Sequence, residues 1–89
     1  MIYIKESFPD LQSVSLKVDG LLDDGSIPIL KNLCQQHMEK GRRVFLDLKL
    51  LINVCREGIV FLQQTQSTVT FVNLPPFIKL EKREPWKKE

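Results

Sequence analysis

The residues Cys55-Arg56-Glu57-Gly58 set a thiol, a cation and a carboxylate at the head of an apolar run, Ile59-Val60-Phe61-Leu62. A thiol at a helix N-terminus has its pKa lowered by the helix dipole, and an adjacent arginine adds to that. Cys55 could therefore act as a thiolate. The preferred reading is a small apolar loop residue, which is how most free cysteines behave. Asp47 closes an apolar stretch, where a carboxylate could bind a ligand. The preferred role is to accept hydrogen bonds from loop N–H groups. His37 is the only histidine. It follows Leu33 by one helical turn and has no carboxylate or nucleophile pattern beside it, so it reads as the edge of an apolar face rather than a general base. Cys34 falls on the same stripe and reads as core. Two scattered cysteines and one histidine supply too few N/S ligands for a structural metal site, so no metal is expected. No Gly-rich loop suggests a nucleotide cofactor. No residue set reads as catalytic, and the chain is not expected to be an enzyme.

The elements that must position these residues follow from hydrophobic periodicity. Ile2 to Phe8 alternates as a first strand, and Pro9-Asp10 begins a turn. Ser13 to Asp19 is a clearer strand, with Val14, Leu16 and Val18 on one face and Ser15 and Lys17 on the other. Gly20 ends it. Asp23-Asp24-Gly25 is a turn cluster. Ser26 reads as a helix N-cap whose hydroxyl accepts from an orphan N–H, and Pro28 fits the first turn. Ile27, Leu30, Leu33, Cys34 and Met38 recur at helical spacing, so a helix runs to about Lys40, with Gly41 as its stop. Val44 to Leu48 is apolar throughout, as in a covered central strand. These pieces make a βαβ unit. Ile59 to Thr65 allows two readings, a hairpin strand or a buried helix over about Cys55 to Gln66. Pattern alone leaves both open. Thr68 to Val72 alternates as a strand. Pro75-Pro76 can start a short helix over Phe77 to Lys82. Glu84 to Glu89 reads as a loose charged tail.

The chain has 89 residues and a net charge of +2. That is room for one domain, placed at residues 1–83. The charge is too small to argue for nucleic acid. Lys79, Lys82, Arg83, Lys87 and Lys88 lie near Trp86, but Glu81, Glu84 and Glu89 interrupt them, which favours a solvated tail over base stacking. The first residues show no signal peptide, and no apolar run approaches the ~20 residues of a membrane span. The expected compartment is the cytoplasm, without membrane insertion.

Three stretches together resemble a STAS domain, the fold shared by sulfate transporters and bacterial anti-sigma-factor antagonists. Val18-Asp19-Gly20-Leu21-Leu22-Asp23 is similar to the family's strand ending Gly-x-Leu-Asp, with the first helix beginning at Ser26. Val44-Phe45-Leu46-Asp47-Leu48 is similar to its hydrophobic strand ending Asp-Leu. Cys55-Arg56-Glu57-Gly58 stands where the family has Asp-Ser-Ser-Gly or Asp-Ser-Thr-Gly before its second helix. The likeness covers roughly residues 13–82. It implies an α/β fold of about four strands, the first antiparallel and the rest βαβαβ, with helices mainly on one face. It also favours the helix over the hairpin at about Cys55 to Gln66.

In the antagonists a partner kinase phosphorylates the first serine of that loop, and the added charge breaks the complex. Here Arg56 stands at that position and Glu57 at the second hydroxyl position, so no phosphorylation site remains. The resemblance implies a partner-binding surface at Asn53, Cys55, Arg56, Glu57 and Gly58, with Asp23 and Ser26 beside it. The implied partner is an anti-sigma factor of the histidine-kinase-like class. The alternative is an accessory role beside a transporter or lipid-transport ATPase. The family's usual last strand and helix are missing after Lys82, which would leave a sheet edge open and favour a homodimer or a covering partner.

Overall fold

Val14, Leu16 and Val18 have no solvent exposure, while Lys17 between them is exposed. This alternation makes the second strand the floor of the core. The computed structural model describes residues 2–78 and Leu80. Strand β1 (Ile2–Asp10) turns into β2 (Ser13–Leu22), followed by helix α1 (Ile27–Glu39), β3 (Arg43–Asp47), β4 (Leu51–Val54), helix α2 (Arg56–Thr65) and β5 (Thr70–Val72). The sheet runs β1-β2-β3-β5, and β4 also pairs with β2. The β1/β2 pair is antiparallel, and the pairs of β2 with β3, β2 with β4 and β3 with β5 are parallel. The protein is thus an α/β domain with a mixed sheet, antiparallel first and parallel after.

Leu30 and Cys34 of α1 and Phe61 and Leu62 of α2 join Val14, Leu16, Val44 and Leu46 in one buried cluster. Both helices therefore cover the same face. Full burial of each such aliphatic side chain is worth roughly 1.5–3 kcal/mol before conformational entropy is counted. The other face carries Tyr3, Lys5, Lys17 and Asp47, the last two paired across β2 and β3.

Several expectations are corrected. A fifth strand, β4, joins the four expected. Its Leu51-Ile52-Asn53-Val54 shows no alternation; β2 pairs with β3 as far as Lys17 and with β4 from Gly20, where the pairing shifts register between Gly20 and Leu21. Gly20 therefore does not end β2. It sits inside it at φ 105°, a conformation that suits glycine and lets the strand change partners. The first turn lies at Leu11-Gln12 rather than Pro9-Asp10, with the Gln12 N–H donating to Asp10 Oδ1 at 2.8 Å. The helix expected over about Cys55 to Gln66 is present as α2, with Cys55 and Gln66 as its caps, so the hairpin alternative does not form. Thr68 and Val69 precede β5 rather than open it, and their N–H groups donate to the Thr65 carbonyl. The stripe of α1 is rotated from the one read: His37 is buried and Met38 is exposed. The expected helix over Phe77 to Lys82 is absent in its described part, where one turn closes from the Ile78 N–H to the Pro75 carbonyl. Lys79, Glu81 and Lys82, and the tail from Glu84 to Glu89, lie outside the described residues. Among the described residues no helix is long and apolar enough to cross a membrane.

Candidate functional site at the start of the second helix

Chain geometry brings the starts of both helices to one end of the sheet. Strand β4 delivers Cys55, whose N–H donates to the Leu22 carbonyl of β2 at 3.0 Å. Cys55 is the N-cap of α2. Its backbone is extended, and its Sγ accepts from the Gly58 N–H at 3.3 Å. Gly58 is buried because a Cβ there would stand 2.6 Å from Val54 Cγ1 and 3.3 Å from Leu22. The glycine is thus required by close packing under the helix, while Arg56 and Glu57 stand in solvent.

At the start of α1 the expected cap is reversed. Ser26 has helical backbone angles and makes no side-chain cap bond. Asp23 does the accepting: its Oδ1 takes the Ser26 N–H at 3.0 Å and the Ser26 hydroxyl at 2.7 Å. Burial of Ser26 (3% exposed) explains this, since its hydroxyl has to donate locally. Asp24, read from sequence only as part of a turn, links the two helix starts. Its Oδ1 accepts from the Cys55 thiol at 3.5 Å. No spacing rule in the sequence joins Asp24 to Cys55, because they meet only when β4 lies beside β2. Asn53 does not join this group through its side chain, whose Oδ1 accepts the neighbouring Val54 N–H at 2.8 Å.

Electrostatics argue against an activated thiol. Loss of hydration raises the Cys55 pKa, the Gly58 N–H lowers it, and the carboxylate of Asp24 raises it again, for a net increase. The carboxyl of Glu57 is lowered, first by its own backbone N–H; loss of hydration opposes this, and Cys55, Asp24 and Arg56 lower it further. One donor atom each from Asp24, Cys55 and Glu57 lies within 4.8 Å of the others, which is a spacing that could touch a metal ion. Among the described residues no fourth donor is grouped with them, whereas structural zinc takes four. The positive end of α2 and Arg56 also oppose a cation there.

The other singled-out residues have structural partners. Asp47 Oδ1 accepts the Lys49 N–H at 3.1 Å and the Asn73 amide at 3.2 Å, the loop-bracing role expected. Burial would raise its carboxyl, but these bonds and the charges of Lys17 and Lys49 hold it below its ordinary value. Cys34 is core, and burial pushes its thiol up to about 11. His37, 6% exposed, does more than edge a face. Its Nε2 lies 3.0 Å from Glu6 Oε2, and its Nδ1 lies 3.2 Å from an Arg42 guanidinium nitrogen. A guanidinium only donates, so Nδ1 is the acceptor and Nε2 carries the proton given to Glu6. The histidine thus ties α1 to β1.

No protein-family model matches the chain. The chain is 34% identical over 80 residues to the ATP-dependent helicase fft2 of Schizosaccharomyces pombe. That match takes in 88% of the chain and 6% of the helicase, so the chain spans a small part of this curated relative's length.

Proposed function

We propose that this chain is a non-catalytic protein-interaction module of STAS type. It docks a protein partner through loop 53–58 and the first turns of α2, with Asp23, Asp24 and Ser26 beside it. The observation that carries this reading is the division of labour at α2. Cys55 and Gly58 hold the helix start, whereas Arg56 and Glu57 stand exposed beside it, Glu57 also held locally by its own N–H and by Cys55. Arg56 occupies the place of the regulatory serine, so binding proceeds without a phosphoserine switch. A partner of the anti-sigma or sensor-kinase class fits the STAS likeness.

The likeness to a stretch of a yeast ATP-dependent helicase favours a second reading. In it the same surface attaches the module to a large ATPase, as an accessory domain would. The test is a photo-crosslinking residue placed at Arg56 in native cells, with a second at Lys17 on the open sheet face as control. The proposed module yields one discrete adduct from position 56 and none from 17. Identification of the adduct as a sensor kinase or as a nucleic-acid motor separates the two readings. Equal labelling from both positions would contradict them both.

A further inference from the structure

Strand β1 is an edge: among the described residues it pairs only with β2. An edge strand presents a row of unpaired N–H and C=O groups whose natural complement is another strand. The far end of this edge is spoiled by Pro9 and by the register shift between Ser7 and Asp10. The part over residues 2–7 is regular. Beside it a groove of about 540 Å³ opens between β1 and α1, lined by Ile2, Ile4, Ile29 and Leu33 and by Asp23 and Ser26 at one end. Ile29 is 60% exposed there.

We propose that β1 pairs with β1 of a second copy, antiparallel, about a twofold axis at Ile4. The register follows from symmetry. A twofold that extends one sheet stands perpendicular to it, so both copies keep their helices on the same side. Opposed residues share a face, and neighbours along a strand face opposite ways. Some residue must therefore meet its own copy on the axis. An axis at Lys5 sets lysine against lysine, and one at Glu6 sets glutamate against glutamate, both destabilising. An axis at Ser7 drives Lys5 against Pro9 and runs into the bulge. An axis at Tyr3 leaves only residues 2–4 to pair among those described. An axis at Ile4 sets Ile4 against Ile4 on the helix side, at the mouth of the groove. On the open side it sets Tyr3 against Lys5 twice, where each ammonium can lie over a ring face. Ile2 then faces Glu6, whose carboxylate is already held by His37. The groove shares Asp23 and Ser26 with the partner surface, but the proposed contact itself is made by residues 2–6 of β1 and by no α2 residue.

Sedimentation equilibrium of the 89-residue chain tests it. The expected mass rises from one chain to two with concentration, and Ile4→Lys stays at one. Because Ile4→Lys could unfold, a second measurement introduces one cysteine at a time in a Cys55→Ser background, where the other thiol, Cys34, is buried. Directly opposed residues have Cα atoms about 4.5–5.5 Å apart, within the span of a disulfide. Mild oxidation should therefore link Ile4→Cys into a covalent dimer faster than Lys5→Cys, Glu6→Cys or Gln12→Cys. A one-chain mass at every concentration would overturn the proposal. Fastest linkage at any of the other three positions would overturn it too, by placing the contact elsewhere.

Discussion

Helix α1 and helix α2 begin at the same end of the sheet but are fastened differently. The turn before α1 is closed by a carboxylate: Asp23 Oδ1 accepts both the N–H and the hydroxyl of a buried Ser26. The turn before α2 is closed by a thiol, whose sulfur is a weak acceptor and takes the Gly58 N–H at 3.3 Å. What the second cap lacks in polar strength is made up by backbone and packing. The Cys55 N–H is fixed to Leu22, and Gly58 lets Val54 and Leu22 close up beneath the helix. The first start thus depends on charge-assisted hydrogen bonds between side chain and backbone. The second depends on a missing side chain, with Arg56 and Glu57 left on the solvent side of the turn.

The largest effect that could break this contrast is Gly58→Val. It should cost about 1–3 kcal/mol by overpacking, read as a lower urea midpoint. An unchanged midpoint would remove the packing half of the contrast. Next, Asp23→Ala should lower the midpoint more than Cys55→Ala, and the reverse order would invert the comparison of caps. The two thiols sharpen it further. In native protein one equivalent of a thiol reagent should add, at Cys55, and at a rate below that of a free cysteine because its pKa is raised. Cys34, buried with a thiol near 11, should react only on unfolding. The smallest effect concerns Glu57. Its folded carboxyl lies below the ordinary value of 4.5, so its contribution to stability is fully present above that value. It is lost as pH falls through the lower folded value. Glu57→Gln should therefore slightly flatten the acid limb of the stability curve below about pH 4, the effect being small because the group is exposed and screened.

Strong periodicity made most of the fold legible. The alternation from Val14 to Val18, the run Val44 to Leu48 and the apolar positions of α1 each carry their own signal. The elements that escaped are those set by tertiary pairing. Strand β4 pairs because β2 changes neighbours between Lys17 and Gly20, and nothing in Leu51 to Val54 alone announces it. The burial of His37 in place of Met38 depends on Glu6 and Arg42 meeting it from other parts of the chain. At the site, Cys55 and Gly58 were legible from their place before a helix. Asp24 was not, since its link to Cys55 spans 31 residues. The type of Ser26 suggests a cap, but burial makes its hydroxyl a donor to Asp23.

The central claim is that the outward side chains at the start of α2 recognise a partner. It is tested most directly by affinity purification from native cells with three baits: the wild-type chain, Arg56→Glu and Lys17→Glu. A partner should be recovered by the wild type and by Lys17→Glu and lost with Arg56→Glu. A partner recovered equally by all three, or lost only with Lys17→Glu, would contradict it and move the working surface to another face of the domain.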